Sequence, residues 1–162
     1  GINMGYKRIT ISTAGVINKI EKFTKEKEKF KLAISLNGTT NEQRKAIMPI
    51  TKKNALVDLL NAAKKYTEQS NTWLTFEYVL LKECNDSIED AARLIKLLYD
   101  IKKCKLNVIP YNETDGEFQR PDQSKIRSFM SKLRSAPFPV TIRWSKGTDI
   151  DAGCGQLAVS DS

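Results

Sequence analysis

The chain has 162 residues, 40% of them hydrophobic and 28% charged, which suits a single soluble domain with a buried core and no apolar run long enough to span a membrane. Lysine and arginine outnumber acids 27 to 19, giving a net charge of +8, so a polyanionic partner and a merely solvated basic surface stand at even odds. Histidine is absent, which excludes the commonest general base and every Ser/His or Cys/His arrangement within the chain; the three widely spaced cysteines, Cys84, Cys104 and Cys154, make neither a disulfide framework nor a zinc motif and fit a reduced, cytoplasmic setting.

The opening "GINMGYKRITIS" reads as the approach to a strand over 7–12, and the chain is expected to be a piece of a longer protein. "AGVINKIEKF" puts Val16, Ile17, Ile20 and Phe23 at helical spacing. "KLAISL", 31–36, is the next strand, and "TTNEQRKAIM" carries turn and cap residues into a short helix. "NALVDLLNAAKKY" gathers Leu56, Leu59, Leu60 and Ala63 on one helical face, with Asn54 as cap. "WLTFEYVLL", 73–81, is a strand rich in aromatic and branched residues. "NDSIEDAARLIKLLYDI" begins with caps and predicts an apolar face of Ile88, Ala92, Leu94, Ile95 and Leu98. "CKLNVIPY", 104–111, is a strand stopped by Pro110, and "NETDGEFQRPDQ" is the longest loop. "QSKIRSFMSKLRS" is amphipathic through Ile126, Phe129, Met130 and Leu133, and "PVTIRW", 139–144, is the last strand before a glycine-rich tail.

Strands that alternate with helices pair in parallel, because each crossover must return the chain to the same end of the sheet. The whole of 1–162 is therefore expected to be one α/β domain. Ligands of such folds collect at the carboxyl ends of the strands. Here those ends are Ser12–Thr13, Ser35–Asn37, Leu81–Asp86, Pro110–Asn112 and Ser145 onward, and each carries polar residues.

Single residues admit two readings each. Cys154 stands between Gly153 and Gly155 in "DIDAGCGQL"; a free cysteine is most often a packed structural thiol, and Cys84 and Cys104 keep that reading. Ser12 and Asn112 could cap a helix or turn, or hold a ligand. Glu77, flanked by Phe76 and Tyr78, is either a hydrogen-bonded strut or part of a site. Arg44, Lys52, Lys53, Arg143 and Lys146 flank strand ends and could meet phosphates or simply be exposed. Trp73 and Trp144 could stack on bases, although core or surface filling is the commoner use.

Six segments taken together carry a resemblance. "ITISTAG", "LAISLNGTTNEQRKAIMPI", "FEYVLL", "CNDS", "LNVIPYN" and "DIDAGCGQL" follow the order and spacing of the RlmN/Cfr-type radical S-adenosylmethionine RNA methyltransferases, over essentially the whole chain. The resemblance implies a fold: the later strands of a partial TIM-type (β/α)6 barrel of the radical S-adenosylmethionine superfamily. It implies cofactors, S-adenosylmethionine and a 4Fe–4S cluster. The CxxxCxxC motif that holds the cluster in the family is not in this sequence, nor is the "GGEP"-like segment, so both are expected upstream and the chain alone is expected to be inactive.

The resemblance also assigns residues. Cys154 matches the cysteine that becomes S-methylcysteine, the intermediate that carries the methyl group to adenine. Ser12, Ser35, Leu36, Asn37 and Asn112 match positions that contact S-adenosylmethionine, with Asn37 where the family usually has histidine. The implied reaction is methylation of carbon 2 of adenine in 23S ribosomal RNA and transfer RNA. The alternatives are Cfr-type methylation of carbon 8, which gives antibiotic resistance, and a non-catalytic RNA-binding paralogue. Implied partners are 23S rRNA, tRNA and an electron donor such as flavodoxin, with no membrane, in a cytoplasmic monomer.

Overall fold

The computed structural model describes residues 10–13, 17–25, 31–49, 55–112 and 116–144. Strands and helices alternate: β1 (Thr10–Thr13), α1 (Ile17–Lys25), β2 (Lys31–Ser35), α2 (Asn41–Ile47), α3 (Leu56–Ser70), β3 (Leu74–Leu80), α4 (Ile88–Leu98), β4 (Cys104–Pro110), α5 (Gln123–Leu133) and β5 (Val140–Ile142). The five strands form one sheet in the order β1-β2-β3-β4-β5, and every neighbouring pair is parallel. Each crossover therefore moves one strand in the same direction. Crossovers of one hand, stepping one way, put all helices on one face of the sheet. That is the winding of a barrel wall, not of a doubly wound sheet.

The burial pattern along β3 shows the two faces. Leu74, Phe76, Tyr78 and Leu80 are buried, while Thr75, Glu77 and Val79 between them are half-buried. The first set joins Leu32, Ile34, Leu106 and Val108 and the apolar stripes of the helices in the main core. α1 packs against α3 and α4 against α5. The stripe of α3 is the expected one, with Leu56, Leu59, Leu60 and Ala63 buried. α4 differs from expectation: Ala91, Leu94 and Leu98 are buried, whereas Ile88, the first helical residue, is 40% exposed and Ala92 is exposed. Positions 91, 94 and 98 recur at the helical repeat, and Ala92 lies about 100° around the axis from Ala91. On α5, Ile126, Phe129 and Leu133 are buried and Met130 is half-buried. On α1, Ile20 is buried and Ile17 half-buried, and Val16 lies outside the described residues.

The helix starts follow capping chemistry. Thr40 accepts from Gln43 N at 3.1 Å to start α2, and Asp122 accepts from Lys125 N at 3.0 Å to start α5. Ser87 and Asp90 form a reciprocal capping box on α4. α3 is capped from outside: its N-cap is Ala55, and the Leu56 N–H is taken by Asn41 Oδ1 at 2.7 Å. Asn54, the cap expected from sequence, lies outside the described residues.

Candidate functional site

The face of the sheet away from the helices is polar along one register row. Ser35, Glu77, Asn107 and Thr141 are consecutive partners across β2, β3, β4 and β5, so their side chains share that face. Thr141 Oγ1 donates to Asn107 Oδ1 at 3.0 Å. One step beyond β5, Arg143 brings Nη2 to 3.9 Å from Glu77 Oε2, and its N–H continues the ladder to Val108 O at 2.8 Å. Burial pushes the Glu77 carboxyl above its ordinary range, and Arg143 opposes that shift. Glu77 is thus ion-paired on the polar face of the sheet, with no side-chain hydrogen bond among the described residues.

The end of β2 is built by buried polar contacts. Asn37 has φ 53, in the left-handed region, and is fully buried. Among non-glycine residues Asn, Asp and His are enriched there, so asparagine suits this backbone position. Its Oδ1 accepts from Val79 N at 2.7 Å, standing in for a strand carbonyl, and its Nδ2 faces Met48 Sδ at 3.4 Å. Asn85, from the turn after β3, locks the same end: Nδ2 donates to Asn37 O at 3.0 Å and Val79 O at 2.8 Å, and Oδ1 accepts from Leu81 N at 2.8 Å.

Gly38 is closely surrounded: a Cβ there would lie 3.0 Å from Arg44 Cγ and Gln43 Cβ, so a side chain would require those neighbours to shift. Arg44 is buried, not an exposed phosphate contact: Nε donates to Leu36 O at 2.9 Å and Nη2 to Ser35 O at 3.3 Å. Burial lowers its pKa to about 10, so it stays charged at neutral pH. Helix α2 turns back over its own strand end, and that geometry puts the guanidinium on the two carbonyls.

The residues expected at the site are not equivalent. Ser35 and Asn112 are half-buried, and neither side chain makes a hydrogen bond among the described residues. Leu36 is buried with its carbonyl held by Arg44, and the Asn37 amide is engaged as described. Ser12 is the Cα partner of Ala33 in the β1–β2 ladder, in the carboxyl half of β1. Cys154, Lys52, Lys53 and Lys146 lie outside the described residues. Trp73 and Trp144 are both about half exposed: Lys105 Nζ lies 5.9 Å from the Trp73 ring centroid and the Arg120 guanidinium 5.0 Å from that of Trp144. The Asn85 and Asp90 networks are not legible along the chain beyond the strand end Leu81–Asp86, the segment "CNDS" and the cap-like "NDSIED".

Beside the polar row sits an apolar patch of Ile47, Met48, Leu81 and Tyr111, with Val79 and Phe118 against it, and Tyr111 and Phe118 meet edge-on at 6.2 Å. That cluster is core, with Ile47, Met48, Leu81 and Tyr111 at most 3% exposed, whereas the half-buried Ser35, Glu77 and Asn112 offer a hydroxyl, a carboxylate and an amide, groups that suit the ribose hydroxyls and amino-acid end of a ligand such as S-adenosylmethionine. An iron–sulfur cluster finds no match: among the described residues no three His, Cys, Asp or Glu side chains group as metal ligands, Cys104 is buried, and Cys84 is exposed. No residue described here is assigned to hold one.

No family model matches the chain. Individual proteins do. A probable dual-specificity RNA methyltransferase RlmN from Pseudothermotoga lettingae is 44% identical over 157 residues, 97% of this chain and 46% of that protein. The dual-specificity RNA methyltransferase RlmN of Bdellovibrio bacteriovorus is 43% identical over 97% of this chain and 39% of its own length. The chain thus spans less than half the length of these curated relatives. The crystal structure of a radical SAM methyltransferase from Sphaerobacter thermophilus superposes with a TM-score of 0.87 at 37% identity, over 97% of this chain and 46% of that one. A domain of pyruvate-formate lyase-activating enzyme from Bacteroides vulgatus shares the fold alone, with a TM-score of 0.66 at 11% identity over 84% of this chain and 81% of its own. With a parallel barrel wall, polar strand ends and these likenesses over nearly all its residues, the chain belongs to the RlmN-type radical S-adenosylmethionine methyltransferases, as a part of their catalytic domain.

Proposed function

We propose that residues 1–162 act as one α/β domain, the later strands of the catalytic barrel of an enzyme that methylates carbon 2 of adenine in 23S rRNA and tRNA. The observation that carries this reading is one of placement. Hydrogen-bonding groups unused among the described residues, on Ser35 and Asn112, stand at the ends of strands of one parallel sheet, in the motif order that leads on to Cys154. The names of the relatives support the RNA methyltransferase class.

S-adenosylmethionine, bound by Ser12, Ser35 and Asn112 and the backbone at Leu36–Asn37, supplies the methyl group and, with a 4Fe–4S cluster held outside this chain, radical chemistry. The thiol of Cys154 would give up its proton and act as a thiolate nucleophile: its sulfur would bond to the methyl carbon as the sulfonium–methyl bond of S-adenosylmethionine breaks and S-adenosylhomocysteine leaves, and the resulting S-methylcysteine would carry that carbon to adenine. Glycines on both sides let the backbone bring the sulfur close to cofactor and base. The excess of lysine and arginine draws RNA phosphates toward the protein. An electron donor of the flavodoxin type and a monomeric, cytoplasmic state complete the reading. Among the described residues no helix is long and apolar enough to cross a membrane.

The test is peptide mass analysis of the full-length enzyme purified from cells, with mapping of the methylated adenine. A methyl group on Cys154 and carbon-2 product are expected, and Cys154→Ala should transfer no methyl while still binding RNA. Methyl on Cys84 or Cys104 would overturn the assignment, and carbon-8 product would place the enzyme in the Cfr type.

A further inference from the structure

We propose that Thr39 and Asp90 form a positioning pair that fixes the loop after β2 for S-adenosylmethionine. The inference rests on the reading of that loop as part of the cofactor site. Asp90 lies in the first turn of α4, and its two carboxylate oxygens divide their work. Oδ2 serves the helix: it accepts from Ser87 N at 3.2 Å and Ser87 Oγ at 2.9 Å, the capping box. Oδ1 serves another element. It accepts from Thr39 Oγ1 at 2.7 Å and from Gln43 Nε2 at 2.8 Å, both in the segment that follows β2, and from Arg93 Nη2 at 2.7 Å.

Capping α4 needs none of the Oδ1 contacts. Two of them, from Thr39 and Gln43, hold the segment after β2, and the third comes from Arg93 within α4. Thr39 N donates to Gln43 Oε1 at 2.7 Å, and Thr39 Oγ1 accepts from Arg93 Nε at 3.0 Å. Thr39 and Asp90 are both buried, and a hydrogen bond to a buried carboxylate is of the strong, charge-assisted kind. Two residues upstream, Asn85 holds Asn37 O at 3.0 Å. The loop is therefore gripped on both sides of Gly38 by the segment that follows β3. Ser35, Leu36 and Asn37 are fixed relative to Glu77 and its neighbours before any ligand arrives. A ligand that meets a preformed site avoids the entropy of ordering a loop, which is the way Thr39 and Asp90 act on affinity without touching the ligand.

The test uses the full-length, cluster-loaded enzyme with Thr39→Val and Thr39→Ser. Valine keeps the shape of the side chain and leaves the capping box untouched; serine keeps the hydroxyl. Two quantities are read: hydrogen exchange of the Leu36–Thr40 amides, and the dissociation constant of S-adenosylmethionine by titration calorimetry. Thr39→Val should speed exchange and weaken binding by roughly ten-fold or more each, because valine can make neither the bond to Asp90 nor the one from Arg93 and each lost bond to a charged group is worth about ten-fold, while Thr39→Ser stays near wild type. Unchanged exchange in Thr39→Val would overturn the pin. Faster exchange with unchanged affinity would overturn the positioning role. A wild-type enzyme that does not bind S-adenosylmethionine would overturn the reading of the site itself, with the exchange result still deciding whether the pin exists.

Discussion

Asn85→Ala removes a side chain of two polar atoms that serve three buried backbone groups. The Leu81 N–H loses its acceptor, and the Val79 and Asn37 carbonyls lose a shared donor. Asn85 is fully buried, so water does not replace those bonds without opening the turn. An orphaned buried group costs about 1–3 kcal/mol, with the N–H at the upper end and carbonyls, which have a second lone pair, lower. The sum is roughly 3–5 kcal/mol, a large part of the 5–15 kcal/mol that holds a typical domain folded. Asn41→Ala is the internal comparison. It removes one bond, to Leu56 N at 2.7 Å, at a helix start, and should cost only about 1 kcal/mol. Chemical denaturation of the full-length protein, followed by circular dichroism, measures both. An Asn85→Ala loss below about 1 kcal/mol, or one smaller than that of Asn41→Ala, would refute the claim that this side chain holds the two strand ends together.

Glu77→Gln should raise the melting temperature at neutral pH, by about 1–4 °C for up to ~1 kcal/mol in a domain of this size. Burial raises the folded-state pKa of Glu77 against the opposing Arg143, so the stability linked to this group is present in acid and lost as pH rises through that raised value; the gain should shrink as pH falls through the carboxylate range, and a lower melting temperature at neutral pH would contradict the assignment. Thiol alkylation followed by peptide mapping should label Cys84 in the native protein and spare Cys104, because Cys104 is buried with its pKa pushed up to about 11 by burial, whereas Cys84 is exposed; equal labelling rates would rule this out.

The fold was legible because its signals are local. The β-branched and aromatic run in β3 alternates in period two, and α3 and α5 repeat their apolar residues at helical spacing, so strand, helix and parallel crossover followed directly. The α4 stripe shows the limit: Leu94, Ile95 and Leu98 pack as expected, but Ile88 and Ala92 do not. Ile88 and Ala92 are apolar by type, yet which side of a helix meets the sheet is fixed by packing, not by composition. The start of α3 shows a related limit: Asn41, fifteen residues upstream of Leu56, supplies an acceptor, and no window along the chain shows that pairing.

The site was legible as positions but not as roles. Ser35 and Asn112 were placed at strand ends correctly, yet sequence treats Ser35, Leu36 and Asn37 as one cofactor segment. The fold separates them: Ser35 keeps its hydroxyl unused among the described residues, while the Asn37 amide replaces a strand carbonyl for Val79. Arg44 shows the same division in reverse. A cation beside a strand end reads as a phosphate contact, and it is instead buried on the carbonyls of Ser35 and Leu36. Contacts such as Thr39 to Asp90 join residues 51 apart, so their existence depends on the crossover that brings the ends of β2 and β3 to the same edge of the sheet. A parallel fold brings such residues together only after its strands have paired. The contacts that fix the loop after β2 therefore follow from the assembled barrel wall, while the strand-end positions can already be picked out along the chain.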